Sequence, residues 1–204
     1  MQEYITLGKE AEASFTEKKS LFIGNACPVK TEEEAMEFIT KIRKKYGDAT
    51  HNCYAYMLAN GSARYSDDGE PQGTAGVPIL SVIQKGGFTD AVIVVTRYFG
   101  GILLGAGGLV RAYSASARDA VNAAKIVTYA EYTEFTVKCS YSDYQKLIPI
   151  ISALEIKEDS SEFTDTVTLN LAAKPDTFTA FCETIAELGG GKIETTKTGS
   201  RFSM

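Results

Sequence analysis

The chain has 204 residues, 44% of them hydrophobic and 23% charged, with a formal net charge of −5. Such a composition describes a soluble globular protein with one ordinary core or two small ones, and excludes a disordered or membrane-spanning chain. It also excludes a nonspecific nucleic-acid binder that is basic all over, since phosphate affinity needs a net positive surface.

The acidity is uneven. Lys and Arg balance Asp and Glu at 14 each through Lys125, whereas 7 face 12 beyond it, which places a domain boundary near that point. The stretch MQEYITLGKEAEA carries acids and has no basic region followed by an apolar core, so no secretory signal is read there and a cytoplasmic address is expected. Cys27, Cys53, Cys139 and Cys182 form no CxxC pair, and they read as four reduced, buried thiols rather than a zinc site or disulfide frame.

In chain order, strands are predicted at Tyr4 to Leu7, Ser14 to Glu17 and Leu21 to Val29. Thr31 followed by Glu32, Glu33 and Glu34 opens a helix through Tyr46 with a capping box, and Arg43, Lys44 and Lys45 suit its C-terminal dipole. His51 to Leu58 reads as a strand, and Asn60-Gly61 as the two-residue turn of a hairpin into Ser62 to Ser66. His51 is the only histidine, and beside a strand its structural role is preferred over a catalytic one. Asp67, Asp68 and Glu70 form an acidic turn leading through Gly73 and Thr74 into a helix that ends near Ile83. These carboxylates could hold a metal, but their spacing is not that of a calcium loop, so turn and capping roles are preferred.

Val92 to Val95 has the composition of a buried strand, continued by Thr96, Arg97 and Tyr98. Gly100, Gly101, Gly105, Gly107 and Gly108 follow within nine residues, and a helix then runs from Leu109 toward Lys125. A strand, glycine loop and helix start gather unpaired N–H groups and the positive end of a dipole, which is the physics of an anion site; Arg97 and Arg111 could supply the countercharge. Neither GxxxxGK[ST] nor GxGxxG is present, so a nucleotide site is disfavoured. The competing reading is that these glycines serve tight turning and close helix packing.

After a linker at Ile126 to Tyr129, the predicted order is a strand at Glu131 to Ser140, a helix from Ser142 with a kink or late start at Pro149, and a hairpin of Glu155 to Ser160 with Phe163 to Leu171. A helix from Pro175 follows, stopped at Gly189 to Gly191 before a last strand at Lys192 to Thr198. The order βαββαβ is ferredoxin-like.

Three blocks, HNCYAY from His51, DDGEPQGTAGVPIL from Asp67 and VVTRYFGGILLGAGGLVRAY from Val94, together resemble the signature of the IMPACT/YigZ family, cytoplasmic proteins found from bacteria to mammals. The resemblance implies an α+β fold. Residues 1–127 would form a sheet-and-helix domain similar to domain IV of elongation factor G, and residues 128–204 a ferredoxin-like domain similar to its domain V. Eukaryotic members are implicated in translational control through the amino-acid-starvation kinase pathway, in a different domain arrangement. Fold kinship suggests RNA or ribosome binding for bacterial members, as an analogy.

Two functions follow. The first is a noncatalytic regulatory or RNA-binding module whose partners are RNA, the ribosome or a translation-associated protein, with no membrane, cofactor or metal. Its anion site would be Arg97, Gly105, Gly107, Gly108 and Arg111. Any RNA contact of the acidic second half would need a sheet patch bearing Tyr132, Phe135, Lys138 or Lys174. The alternative is an enzyme acting on a phosphorylated or carboxylated small molecule, with a pocket of His51, Asp67, Asp68, Glu70 and Thr74. No nucleophile with an adjacent base can be read, so binding is preferred.

Overall fold

The computed structural model describes residues 3–189 and 193–203. Gly190, Gly191 and Lys192, to which a helix stop and a strand start are assigned above, lie outside the described residues. The fold is α+β with two antiparallel sheets. The chain divides into one unit at Tyr4–Thr128 and a second that holds the rest.

The first unit carries strands β1 (Glu3–Leu7), β2 (Ala11–Glu17) and β3 (Ser20–Pro28), helix α1 (Glu32–Lys45), strands β4 (His51–Met57) and β5 (Ala63–Ser66), helix α2 (Gly76–Gly86), strand β6 (Ala91–Tyr98) and helix α3 (Ala106–Ala124). Its sheet has the order β2-β3-β6-β4-β5. Strand β6 lies in the middle and is covered on both faces, which is why its sequence is apolar without alternation. Val92 and Val94 pack with Phe38, Ile39 and Ile42 of α1, whereas Ile93 and Val95 pack with Ile79 and Ile83 of α2 and Tyr113, Ala117 and Ala120 of α3.

The start of α1 is a capping arrangement in which Thr31 Oγ1 accepts from Glu34 N–H at 3.2 Å. The Glu34 carboxylate reaches past Thr31 and takes the Lys30 N–H at 2.6 Å. Helix α3 lies close against β3 because Gly24 has no side chain there: a Cβ at that position would stand 2.5 Å from the Ser116 carbonyl oxygen.

The second unit contains most of strand β7 (Ile126–Cys139), helix α4 (Tyr141–Ala153), strands β8 (Lys157–Phe163) and β9 (Val167–Ala173), helix α5 (Pro175–Gly189) and strand β10 (Glu194–Ser203). Its strands run in the order β10-β7-β9-β8. Phe135, Val137, Leu169 and Leu171 from the sheet form one core with Leu147 and Ile151 of α4 and Phe181 and Ile185 of α5.

Several expectations are corrected here. Ile126 to Tyr129, read as the linker, is strand: it forms the start of β7, and the division between the two units falls within it, between Thr128 and Tyr129. Helix α4 does not start late; Ser140 caps it and it continues through Pro149. The hairpin turns at Thr164–Thr166, so β8 extends to Phe163. Phe135 is a core residue at 1% exposure and cannot contact a ligand on the sheet surface.

Candidate functional site

Alternation along two neighbouring strands brings the first cluster together. Arg97 on β6 pairs in register with His51 on β4 and with Phe22 on β3, so all three point to the face covered by α2 and α3. Cys53 shares that face, and Tyr113 enters it from α3. The turn after β5 then inserts Glu70. Its Oε1 accepts from Arg97 Nη1 at 2.7 Å and from the Tyr113 hydroxyl at 2.7 Å, with His51 Nε2 3.8 Å away. Glu70 and Arg97 are 8% and 5% exposed, so this ion pair is desolvated.

The acidic turn is satisfied from within. Asp67 Oδ1 accepts from the N–H groups of Ala75 and Gly76 at 3.0 and 2.8 Å, and Oδ2 from Gly73 N–H at 2.9 Å. This carboxylate therefore takes orphan donors at the start of α2, whose N-cap Ala75 has no side chain able to do so. Asp68 Oδ2 accepts from Asn52 N–H at 2.7 Å and Oδ1 from Arg43 at 2.8 Å. His51 Nδ1 lies 2.8 Å from the Asp68 carbonyl oxygen, which can only accept, so that nitrogen carries the proton. Thr74 closes its own turn by donating to the Pro71 carbonyl at 2.6 Å. The five residues expected to line a pocket are thus near one another, with Asp67, Asp68, Thr74, Glu70 Oε1 and His51 Nδ1 engaged by partners within the protein. Among the described residues no group of three or more His, Cys, Asp or Glu could hold a metal ion.

Burial pushes the Cys53 thiol up to about 12; Tyr113 pulls it down, and Glu70, Asp68 and Asp67 add to the rise. Burial also raises the Tyr113 hydroxyl far above its ordinary value. Cys53 donates to the Asp67 carbonyl at 3.0 Å, so it acts as a small buried donor and not as a nucleophile. Because its folded pKa is raised, its contribution to stability is full below about pH 9 and is lost as the pH climbs toward 12. Urea unfolding of the parent chain should weaken over that window more steeply than unfolding of Cys53→Ala; equal slopes would remove the thiol from the account. The four cysteines are free, but only Cys53 and Cys139 are buried; Cys27 and Cys182 are half-buried, which corrects the expectation of four buried thiols.

The glycine loop has a different character. Gly105 precedes α3 with φ +72°, a conformation L side chains rarely adopt, and offers no side chain to cap the helix. The first helical bond is from Leu109 N–H to the Gly105 carbonyl, which leaves the N–H groups of Ala106, Gly107 and Gly108 as orphan donors. Arg111 lies over this turn, its Nη1 3.6 Å from the point where a Gly107 Cβ would stand. It is exposed and has no ion-pair partner among the described residues. A cleft of about 210 Å³ opens beside it, lined by Phe15, Glu17, Lys18, Leu104, Gly108 and Arg111.

Arg97 and Arg111, paired by sequence as two countercharges, therefore separate. Arg97 is buried in the Glu70 ion pair and also donates to Ser20 Oγ at 3.3 Å, whereas Arg111 is free at the surface. Sequence reasoning missed Lys18 and Lys19, which form the tip between β2 and β3, and Ser20, whose Oγ joins Arg97 to Gly100 N–H at 3.2 Å. The KK pair offers no turn signal: both lysines adopt positive φ, 45° and 66°, where glycine or asparagine is usual.

Residues 18–121 match the family model described as Impact N-terminal domain, and residues 137–192 match a domain of unknown function, DUF1949. The chain is 38% identical over 199 residues to the IMPACT family member YvyE of Bacillus subtilis (strain 168), covering 95% of this chain and 90% of that one. It is 32% identical to the IMPACT family member YigZ of Escherichia coli (strain K12), covering 87% and 89%. A crystal structure titled as that of an hypothetical protein superposes with a TM-score of 0.61 at 29% identity, covering 97% of this chain and 98% of that one.

Proposed function

This chain belongs to the IMPACT family, and from that premise we propose that it is a noncatalytic RNA- or ribosome-binding protein connected with translation, gripping a phosphate backbone at the glycine loop. The observation that carries the reading is Arg111: an exposed, unpaired guanidinium over three orphan N–H groups at the start of α3, with Lys18 across the same cleft. A cytoplasmic setting fits such a partner. We propose further that the two units are akin to domains IV and V of elongation factor G, the second ferredoxin-like, which by analogy makes the ribosome one source of that backbone.

The enzyme reading loses support from the acidic turn. A general base or metal ligand faces an open site, whereas the carboxylates of Asp67 and Asp68 are held by backbone N–H groups, and Asp68 also by Arg43, as parts of the turn itself.

Arg111→Glu is expected to lower the affinity for RNA at low salt more than about tenfold, a charge-assisted contact being worth ~1.5–3 kcal/mol, with the melting temperature unchanged. Arg97→Glu should instead lower the melting temperature, because a carboxylate would then face Glu70 in a buried site. RNA affinity that ignores Arg111 would end the reading.

A further inference from the structure

The loop that carries the backbone-gripping groups also exposes apolar and aromatic side chains. Leu103 is 82% exposed, and Phe99 is 46% exposed. Phe99 is not a loose tip. Its N–H donates to Thr50 Oγ1 at 3.1 Å, and the guanidinium carbon of Arg97 lies 5.4 Å from its ring centroid. That guanidinium is held by Glu70 and Ser20 and lies 5.5 Å from the buried Phe22 ring on β3. The ring of Phe99 is therefore backed by a fixed cation while much of it meets solvent. An aromatic ring so supported can accept a flat partner without first paying to be ordered.

The basic groups run on from this ring. Gly100, next in the chain, packs so closely on Lys19 that a Cβ would overlap the Lys19 backbone. Lys18 precedes it and faces the cleft that Arg111 also lines, and Lys18, Lys19 and Arg111 are all exposed. Among the described residues, Glu17 is the one acid lining that cleft. An exposed ring next to a basic strip is the pairing that single strands exploit, because their bases have free π-faces and their phosphates track the cations. In a duplex the π-faces are already stacked inside and only backbone and groove edges are on offer.

We infer that the ligand is a single-stranded nucleic acid, one base stacking on the exposed part of Phe99 while the flanking phosphates follow Lys19, Lys18 and Arg111. This rests on the phosphate-gripping reading above. Phe99 is then the contact residue, and Arg97 with Glu70 are positioning residues that hold the ring from beneath.

The full chain contains no tryptophan, so Phe99→Trp introduces a lone indole, excited apart from the tyrosines at long wavelength, at the stacking position. Oligouridylate of about a dozen nucleotides, long enough to fill one binding groove, is titrated against this variant. Oligodeoxythymidylate of the same length, the duplex of oligouridylate with oligoadenylate, and inorganic polyphosphate are titrated in parallel. Both single strands are expected to quench the introduced indole, and the duplex and polyphosphate to leave it bright. Phe99→Ala should weaken single-strand binding about tenfold and duplex binding less than about twofold, and Phe99→Tyr should restore it. Arg111→Glu should weaken every one of these ligands. Single-strand binding that depends on Arg111 but neither quenches the indole nor responds to Phe99→Ala overturns the stacking proposal and leaves phosphate gripping intact. Equal losses for single strand and duplex in Phe99→Ala overturn it as well. No binding of any of the four probes by the unsubstituted chain removes both.

Discussion

Replacing Glu70 by Ala is expected to cost about 3–5 kcal/mol of stability, more than any other single carboxylate change in the first unit. The reason is what stays behind. Arg97 would keep its charge at 5% exposure without the carboxylate 2.7 Å away, and the Tyr113 hydroxyl would lose its acceptor in a fully buried position. Ser20 Oγ, 3.3 Å from Arg97 Nη2, is a neutral group and cannot offset a desolvated cation. Urea unfolding followed by circular dichroism at neutral pH measures the loss. The double replacement Glu70→Leu with Arg97→Met should recover most of it, since an apolar pair of similar volume avoids burying either charge. A loss below about 1 kcal/mol for Glu70→Ala would mean that the ion pair is not closed off from water.

The second large effect contrasts Gly100, in the loop after β6, with Gly107, in the first turn of α3. Gly100→Ala is expected to cost about 3 kcal/mol, because the new Cβ would overlap the carbon and carbonyl oxygen of the Lys19 backbone, which cannot swing aside as a side-chain end could. The tip carrying Lys18 and Lys19 must then lift from the loop, so single-strand affinity should fall with stability. Gly107→Ala should be neutral or gain about 0.5 kcal/mol: it lies in α3 with only Arg111 Nη1 at 3.6 Å from the added carbon, and alanine is the better helix former. Thermal melts of the two variants decide it. If both were equally tolerated, the close approach of loop and hairpin would be wrong.

Much of the candidate site was legible, and the rest was hidden for identifiable reasons. The glycine cluster announced a loop of special backbone leading into a helix, and the loop contains both a positive-φ glycine at Gly105 and a close approach at Gly100. What each charged residue does there was not legible. Arg97 and Arg111 have the same side chain and lie 14 positions apart in a single motif, yet one is spent on a buried carboxylate and the other faces solvent. Burial of a charge depends on whether a partner arrives from a distant segment, and Glu70 arrives from the turn before α2. Lys18 and Lys19 were passed over because they look like ordinary surface lysines until the hairpin places them against Gly100.

The sequence by itself determined the local order of this protein. Apolar periods of two and of 3.6 residues and the Thr31 cap act within a few residues of one another, so strands, helices and their sequence order follow without knowledge of the rest, although the helix read from Ser142 is capped earlier, by Ser140, and the hairpin turn read as Asn60-Gly61 takes three residues, Ala59 to Gly61. Only the tertiary structure decided what meets what. The pairing of β6 with β3 and β4, segments tens of residues apart, sets His51, Phe22 and Arg97 in register. That register, with Glu70 closing over it, makes Arg97 a support for Phe99 and leaves Arg111 as the open cation. Long-range pairing is chosen by the summed burial of whole faces, a quantity that no short stretch of residues contains.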